Sequence, residues 1–200
     1  MKNKNLFVTI LLAFTFLISG LIGASSIAFA EEAVSYNCKA ALLMDADTGK
    51  TVFQKNQTER LQIASMVKIM TLNLIFEEIE CGNINYDTEV IASQYCTSMG
   101  GSQAFLDANN SYKASELIKS IIVGSANDSC VAMAEHISGS VSAFVGRMND
   151  KAEKLGMKNT YFVNCTGLPA PNQYSCAEDV AIMTRELIKH KGFFDFSKIW

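Results

Sequence analysis

Apolar positions along this 200-residue chain follow two different regimes. The first is a continuous apolar run from Leu6 to about Ile22, preceded by Lys2 and Lys4 and followed by Ala28-Phe29-Ala30. A positive start, an apolar middle and a small-x-small end form the pattern that a signal peptidase cuts. Residues 1–30 are therefore expected to be a signal peptide removed after Ala30. The run is long enough to serve as an uncleaved anchor, but Gly20, Gly23, Ser25 and Ser26 dilute its end.

Beyond residue 30 the apolar positions become periodic. Ala40 to Met44 reads as a strand, Asp45 to Gly49 holds turn residues, and Lys50 to Phe53 returns, so Cys38 to Asn56 is expected to form a hairpin. A helix is predicted from about Ser65 to Glu80, with Gly82 as its stop. Met66, Val67, Ile69, Met70, Leu72, Leu74, Ile75, Phe76 and Ile79 cover nearly its whole circumference, which marks a helix buried within its domain. Shorter helical patterns follow over Ser115–Val123, Asp128–Ile137 and Ser142–Leu155, each closed by a glycine. Ser175 and Glu178 are spaced as a capping box for a last helix, Cys176 to about Lys189. The expected organisation is one hairpin followed by a mainly helical body.

Composition narrows the class. Loss of Lys2 and Lys4 leaves 15 basic against 20 acidic residues, a net charge of −5. That balance argues against nucleic acid and against a basic membrane-binding face. Two prolines and a high apolar fraction exclude disorder, and the 170 residues left suit one domain or part of a lobed one. All six cysteines (Cys38, Cys81, Cys96, Cys130, Cys165, Cys176) lie beyond the leader, where disulfides are permitted. Their pairing stays open, with Cys130 and Cys176 read as small buried hydrophobes inside helical patterns. Two histidines and no C-x-x-C pair make a zinc site a poor reading.

Candidate chemistry begins with Ser65-Met66-Val67-Lys68, an S-x-x-K match that composition alone produces about once in a chain of this size. Position gives it weight. Ser65 stands at the start of the buried helix and Lys68 one turn on, on the same face. A lysine buried there has its charged form disfavoured and can take the serine proton, which makes Ser65 a nucleophile. The plain alternative is a serine N-cap beside a snorkelling lysine. Ser125-Ala126-Asn127 falls between two predicted helices, where a loop can direct a hydroxyl and an amide into a cleft, or simply cap the next helix. His136, beside Glu135 and deep in a helical pattern, offers no Ser-His-Asp arrangement and is read as a packed or surface histidine.

"IASMVKIMT" (Ile63 to Thr71), "MGGSQAFLD" (Met99 to Asp107), "SANDSCVAMAEHISGS" (Ser125 to Ser140) and "FVGRMNDKAEKLGMKNTYFVNCTGL" (Phe144 to Leu168) together resemble the D-alanyl-D-alanine carboxypeptidases, the low-molecular-mass penicillin-binding proteins. The resemblance runs in order from about Ala33 to Trp200 and favours the catalytic reading of Ser65 and Lys68. It implies an α/β (α+β) penicillin-binding, β-lactamase-like transpeptidase fold over residues 31–200. It further implies that Ser65 attacks the carbonyl between the two terminal D-alanines of a peptidoglycan stem peptide to form an acyl-enzyme. Lys68 would be the general base, Ser125 would pass protons to the leaving amine, and Asn127 would hold the substrate backbone. The Ser65 N–H would supply half of the oxyanion hole. β-Lactams would acylate the same serine, no cofactor or metal is implied, and the place of work is the outer side of the bacterial cytoplasmic membrane or the cell wall.

The chain departs from the family pattern in three places. Val67 stands where threonine is usual, and is expected on an exposed side. Gln173 and Cys176 stand where histidine and threonine or serine are usual. The K-T-G or K-S-G element of a later strand has no counterpart, since Gly49-Lys50-Thr51 is in the wrong order and place. With its apolar ending (Phe193, Phe194, Phe196, Ile199, Trp200), the chain is accordingly read as the N-terminal part of a longer enzyme, its hairpin short of in-sheet partners and any membrane anchor beyond Trp200. Two other readings share the motifs: a class A-like β-lactamase, against which Ala126 replaces aspartate, and a non-catalytic exported protein that keeps the fold. An elongation-type transpeptidase would need extra domains for which there is no room.

Overall fold

The computed structural model describes residues 36–199, and the expected signal peptide lies outside them. β1 (Ala41–Met44) and β2 (Thr51–Lys55) pair antiparallel from Ala41 opposite Lys55, with a register shift between Leu43 and Met44. The turn closes through Asp45, whose N–H donates to Lys50 O and whose carbonyl accepts from Gly49 N, both at 2.9 Å. Gly49 takes a left-handed φ of +74°, and a Cβ there would meet the Arg185 guanidinium. That approach lets Arg185 donate to Ala46 O and Asp47 O, each at 2.7 Å, and clamp the hairpin tip.

A 3₁₀ turn (Ala64–Val67) runs directly into α1 (Lys68–Glu80), followed by β3 (Glu89–Ile91), α2 (Gln94–Thr97), β4 (Ser111–Lys113), α3 (Ala114–Gly124), α4 (Asn127–Ser138), α5 (Val141–Lys154), α6 (Ala177–Leu187) and α7 (Phe193–Ser197). The first hairpin and the buried helix match expectation closely. The helical body differs in holding a second antiparallel pair, β3 with β4, which the short segments did not announce.

α1 is the central rod. It buries Met70, Leu72, Leu74, Ile75 and Phe76, and packs against α4, α5 and α6. α5 closes one side with Phe144, Met148 and Ala152. Asn73, inside the rod, donates to Met183 O on α6 at 2.9 Å, so a polar side chain in the core fixes the seating of these two helices.

Two sequence expectations need correction. The last helix is capped by Cys176, whose sulfur accepts from Asp179 N, not by Ser175. Ser175 is used otherwise: its backbone bridges Leu61 in both directions, and its hydroxyl bonds Thr160 at 2.8 Å. Val67 is not on an exposed side but fully buried, because the 3₁₀ turn rotates it into the core while Met66 faces out. Among the described residues all six cysteines are free thiols, with Cys96, Cys130, Cys165 and Cys176 buried.

Removing a ring that nothing can replace should show where stability resides. Phe144→Ala is expected to cost about 3–5 kcal/mol, read as a lower urea midpoint with an unchanged slope. Leu43→Ala, on the exposed face of β1, should cost less than about 0.5 kcal/mol.

Candidate active site

Ser65 lies in the second position of the 3₁₀ turn, and among the described residues no side chain caps either that turn or α1. The capping role open to it in the sequence is therefore not the one it has. Ser65 is exposed at the surface, with its hydroxyl 3.2 Å from the Lys68 amine. Lys68 is only 4% exposed and does not snorkel. Its Nζ donates to Thr166 O at 2.6 Å and to Ser65 Oγ, and among the described residues it has no carboxylate partner.

Burial pushes the Lys68 pKa below the ordinary lysine value. The titratable groups beside it are Cys130 on α4 and Cys165 in the loop before Thr166. Burial pushes both thiols up, Cys165 to about 12, so neither supplies a counter-charge at neutral pH. An amine with one N–H held by a carbonyl, a serine hydroxyl within reach and no anion to keep it protonated can act as a base.

Ser125 closes α3 in the left-handed region, at φ +54°. Asn127 begins α4, whose N-cap is Ala126, so neither Ser125 nor Asn127 caps the helix. Asn127 instead fixes the loop that precedes β4. Its N–H donates to Ser102 O and its Nδ2 to Gly100 O, both at 2.7 Å. Gly101 sits so close that a Cβ there would lie 2.9 Å from Asn127 Nδ2. Among the described residues, the Asn127 Oδ1 is left buried without a partner. Among the described residues, Ser125 has no hydrogen bond to Ser65 or Lys68. The two motifs thus lie on neighbouring elements: α1 packs on α4, and Cys130, one turn beyond Asn127, is next to Lys68.

A profile of the D-alanyl-D-alanine carboxypeptidase family matches residues 27–198. The chain belongs to that family. It is 46% identical over 164 residues to the D-alanyl-D-alanine carboxypeptidase DacF of Bacillus subtilis, covering 82% of this chain and 42% of that protein. Against DacC of Escherichia coli it is 35% identical over 163 residues, covering 78% and 41%. The crystal structure of the carboxypeptidase DacD from Francisella tularensis superimposes with a TM-score of 0.82 at 33% identity, over 89% of this chain and 43% of that one. Penicillin binding protein 5 from Haemophilus influenzae gives 0.75 at 35%, over 78% and 46%. The chain therefore has the penicillin-binding protein fold, and spans less than half the length of each of these relatives.

Sequence reasoning singled out Ser65, Lys68, Ser125 and Asn127 as candidates, and did not single out the residues that hold them. Asp128 is buried, and its carboxylate accepts from Ala104 N (2.9 and 3.1 Å), Leu106 N (3.2 Å) and Ser129 N (2.9 Å), which anchors the loop that Asn127 also holds. The signal was present: an acid at the head of the apolar helix "CVAMA" is as anomalous as the lysine in α1. Asp128→Ala should leave these backbone donors without their acceptor and cost about 1–3 kcal/mol. Hydrogen exchange at Ala104 and Leu106 should accelerate about tenfold or more relative to amides of α1. Unchanged exchange at both would contradict the anchoring.

Proposed function

We propose that the protein is a serine-type D-alanyl-D-alanine carboxypeptidase that removes the terminal D-alanine from peptidoglycan stem pentapeptides through an acyl-enzyme on Ser65. The observation that carries this reading is the buried Lys68 amine, without a carboxylate partner among the described residues, 3.2 Å from the Ser65 hydroxyl in a chain of this family.

In the proposed reaction the Ser65 proton passes to neutral Lys68 as Oγ adds to the scissile carbonyl carbon. The negative charge on the carbonyl oxygen is met by the Ser65 N–H, for which there is no protein acceptor among the described residues. Collapse breaks the C–N bond, and the proton is delivered to the leaving D-alanine amine by way of Ser125. Water then hydrolyses the ester and returns the serine proton. Asn127 Oδ1, buried and unsatisfied, is suited to accept an N–H of the bound peptide, which would relieve the cost of leaving it bare. β-Lactams present a strained amide to the same serine and would be held as stable esters. The proposed location is outside the cytoplasmic membrane, supported by the Lys2 to Ala30 leader pattern.

Full-length protein incubated with a fluorescent penicillin should carry one covalent label, on Ser65, and Ser65→Ala should carry none. Release of D-alanine from a stem pentapeptide should vanish with the same substitution. Rapid turnover of nitrocefin without a lasting adduct would instead place the protein among the β-lactamases, and normal D-alanine release by Ser65→Ala would end the proposal. Lys68→Met is expected to slow acylation by about 10²–10⁴-fold. Because neutral Lys68 is the active form and its pKa is lowered, acylation should rise with pH and level off below the ordinary lysine range.

A further inference from the structure

The segment after α5 contributes no residue to the reaction proposed above, yet it touches both partners of the catalytic pair. Thr166 O accepts from Lys68 Nζ at 2.6 Å. One residue on, Gly167 (φ +87°) lies directly on the Ala64–Ser65 peptide. A Cβ there would collide with Ala64 O and Ala64 C and come within 2.9 Å of Ser65 N. Ala64 itself is held at φ +45°, a left-handed conformation that a non-glycine residue adopts only when its surroundings impose it. The contact from Gly167 falls on that strained residue.

The segment is internally rigid. Asn164 Oδ1 accepts from Thr166 N (3.1 Å), Thr166 Oγ1 (3.1 Å) and Gly167 N (2.7 Å), while Asn164 Nδ2 donates to Leu168 O at 2.9 Å. One side chain thus ties the three consecutive residues Thr166, Gly167 and Leu168 into a turn. Gln173 holds that turn from behind: its Oε1 accepts from Val163 N and Asn164 N, each at 2.9 Å, and its Nε2 donates to Leu168 O at 3.3 Å. Thr71, one turn beyond Lys68 on α1, donates to Cys165 O at 2.7 Å and locks the turn to the helix that carries the base.

We propose that the turn Asn164–Leu168, pinned by Asn164 and Gln173, is the positioning device of the active site, setting Ser65 through Gly167 and Lys68 through Thr166. The inference rests on the reading of Ser65 as the acylated nucleophile. The bare Cα of Gly167 lets the turn press on the peptide that leads into Ser65, which fixes where its hydroxyl and N–H point. The Thr166 carbonyl takes one N–H of the lysine, which aims the remainder of the amine at Ser65. Asn164 and Gly167 touch no reacting atom, so they act through their neighbours. A shift of about 1 Å in such a support is enough to cost about a hundredfold in rate.

The test is the rate of acylation of the full-length protein by a fluorescent penicillin, followed over roughly pH 6 to 10, the range between ordinary histidine and lysine titration. Gly167→Ala should acylate about a hundredfold more slowly than wild type. Asn164→Leu, close in size but unable to bond the turn, should be about tenfold slower, the loss expected for about 1.4 kcal/mol. Its acid limb should also move to higher pH, because a loosened turn admits water to Lys68 and returns the amine toward its ordinary behaviour. Cys130 and Cys165, which face Lys68 from α4 and from the turn, stay protonated over most of this range and do not produce that limb. Asn164→Asp keeps the oxygen that accepts the three bonds and should remain within about threefold of wild type.

A purely structural role predicts something else: fewer active molecules, with the rate constant and the limb of the surviving fraction unchanged. That result in Asn164→Leu, or wild-type rates in folded Gly167→Ala, would overturn the positioning role. If Gly167→Ala does not fold, the two Asn164 variants decide. A wild-type protein that takes no penicillin at Ser65 overturns the functional reading and this inference together. A labelled wild type beside indistinguishable variants overturns the turn's role alone.

Discussion

Taking an ammonium group out of water costs several kcal/mol unless an anion is placed beside it, and this fold buries Lys68 among groups that are all neutral. Cys130, Cys165 and the Thr166 carbonyl surround the amine, and among the described residues no carboxylate approaches it. The neutral form is favoured as a result. A lysine placed to be deprotonated next to a serine is a base, and much of the molecule can be understood as the means of keeping it there. α1 supplies the apolar rod from which Lys68 projects. α4 closes one side with Cys130, and the turn after α5 closes the other.

The same elements define what lies around the nucleophile. The 3₁₀ turn leads the chain into α1 with Ser65 on the outside and Val67 in the core, and Ala64 takes a left-handed conformation to make that entry. On the neighbouring helix, α4 begins with Asn127 and Asp128, and both reach back to the loop before β4. Two adjacent residues therefore divide the work: the Asp128 carboxylate satisfies backbone donors of the loop, while Asn127 donates to it and has one oxygen with no partner among the described residues. The substitution of valine at position 67 agrees with this arrangement, since the site it occupies is apolar and closed.

Much of this was legible in the sequence, for definite reasons. The buried helix announced itself because apolar residues encircle it, and Lys68 stood out as the exception on that helix. The first hairpin followed from the short apolar run Ala40 to Met44 and the returning Lys50 to Phe53 on either side of the turn residues Asp45 to Gly49. β3 and β4 were not legible: at three residues each they show no period, and their pairing depends on a contact across about twenty intervening residues. The cap at Cys176 was misread because the S-x-x-E spacing at Ser175 was satisfied locally, while a bridge to Leu61, more than a hundred residues away in sequence, had the stronger claim on Ser175. The turn at Asn164 was invisible for a related reason. Asn, Thr and Gly at close spacing signal a loop, and only the fold shows that the loop lies against Ser65 and Lys68.

The central claim, a lysine whose charged form is disfavoured by burial with no carboxylate beside it among the described residues, can be measured without substrate. Full-length protein carrying ¹³C at the lysine ε-carbons can be titrated by NMR, with the Lys68 resonance assigned from its disappearance in Lys68→Met. Lys68 should titrate below every exposed lysine of the chain, with its neutral form present at lower pH than theirs. A Lys68 that titrates with the exposed lysines or above them would mean that the amine is solvated or paired with an anion, and would contradict the account.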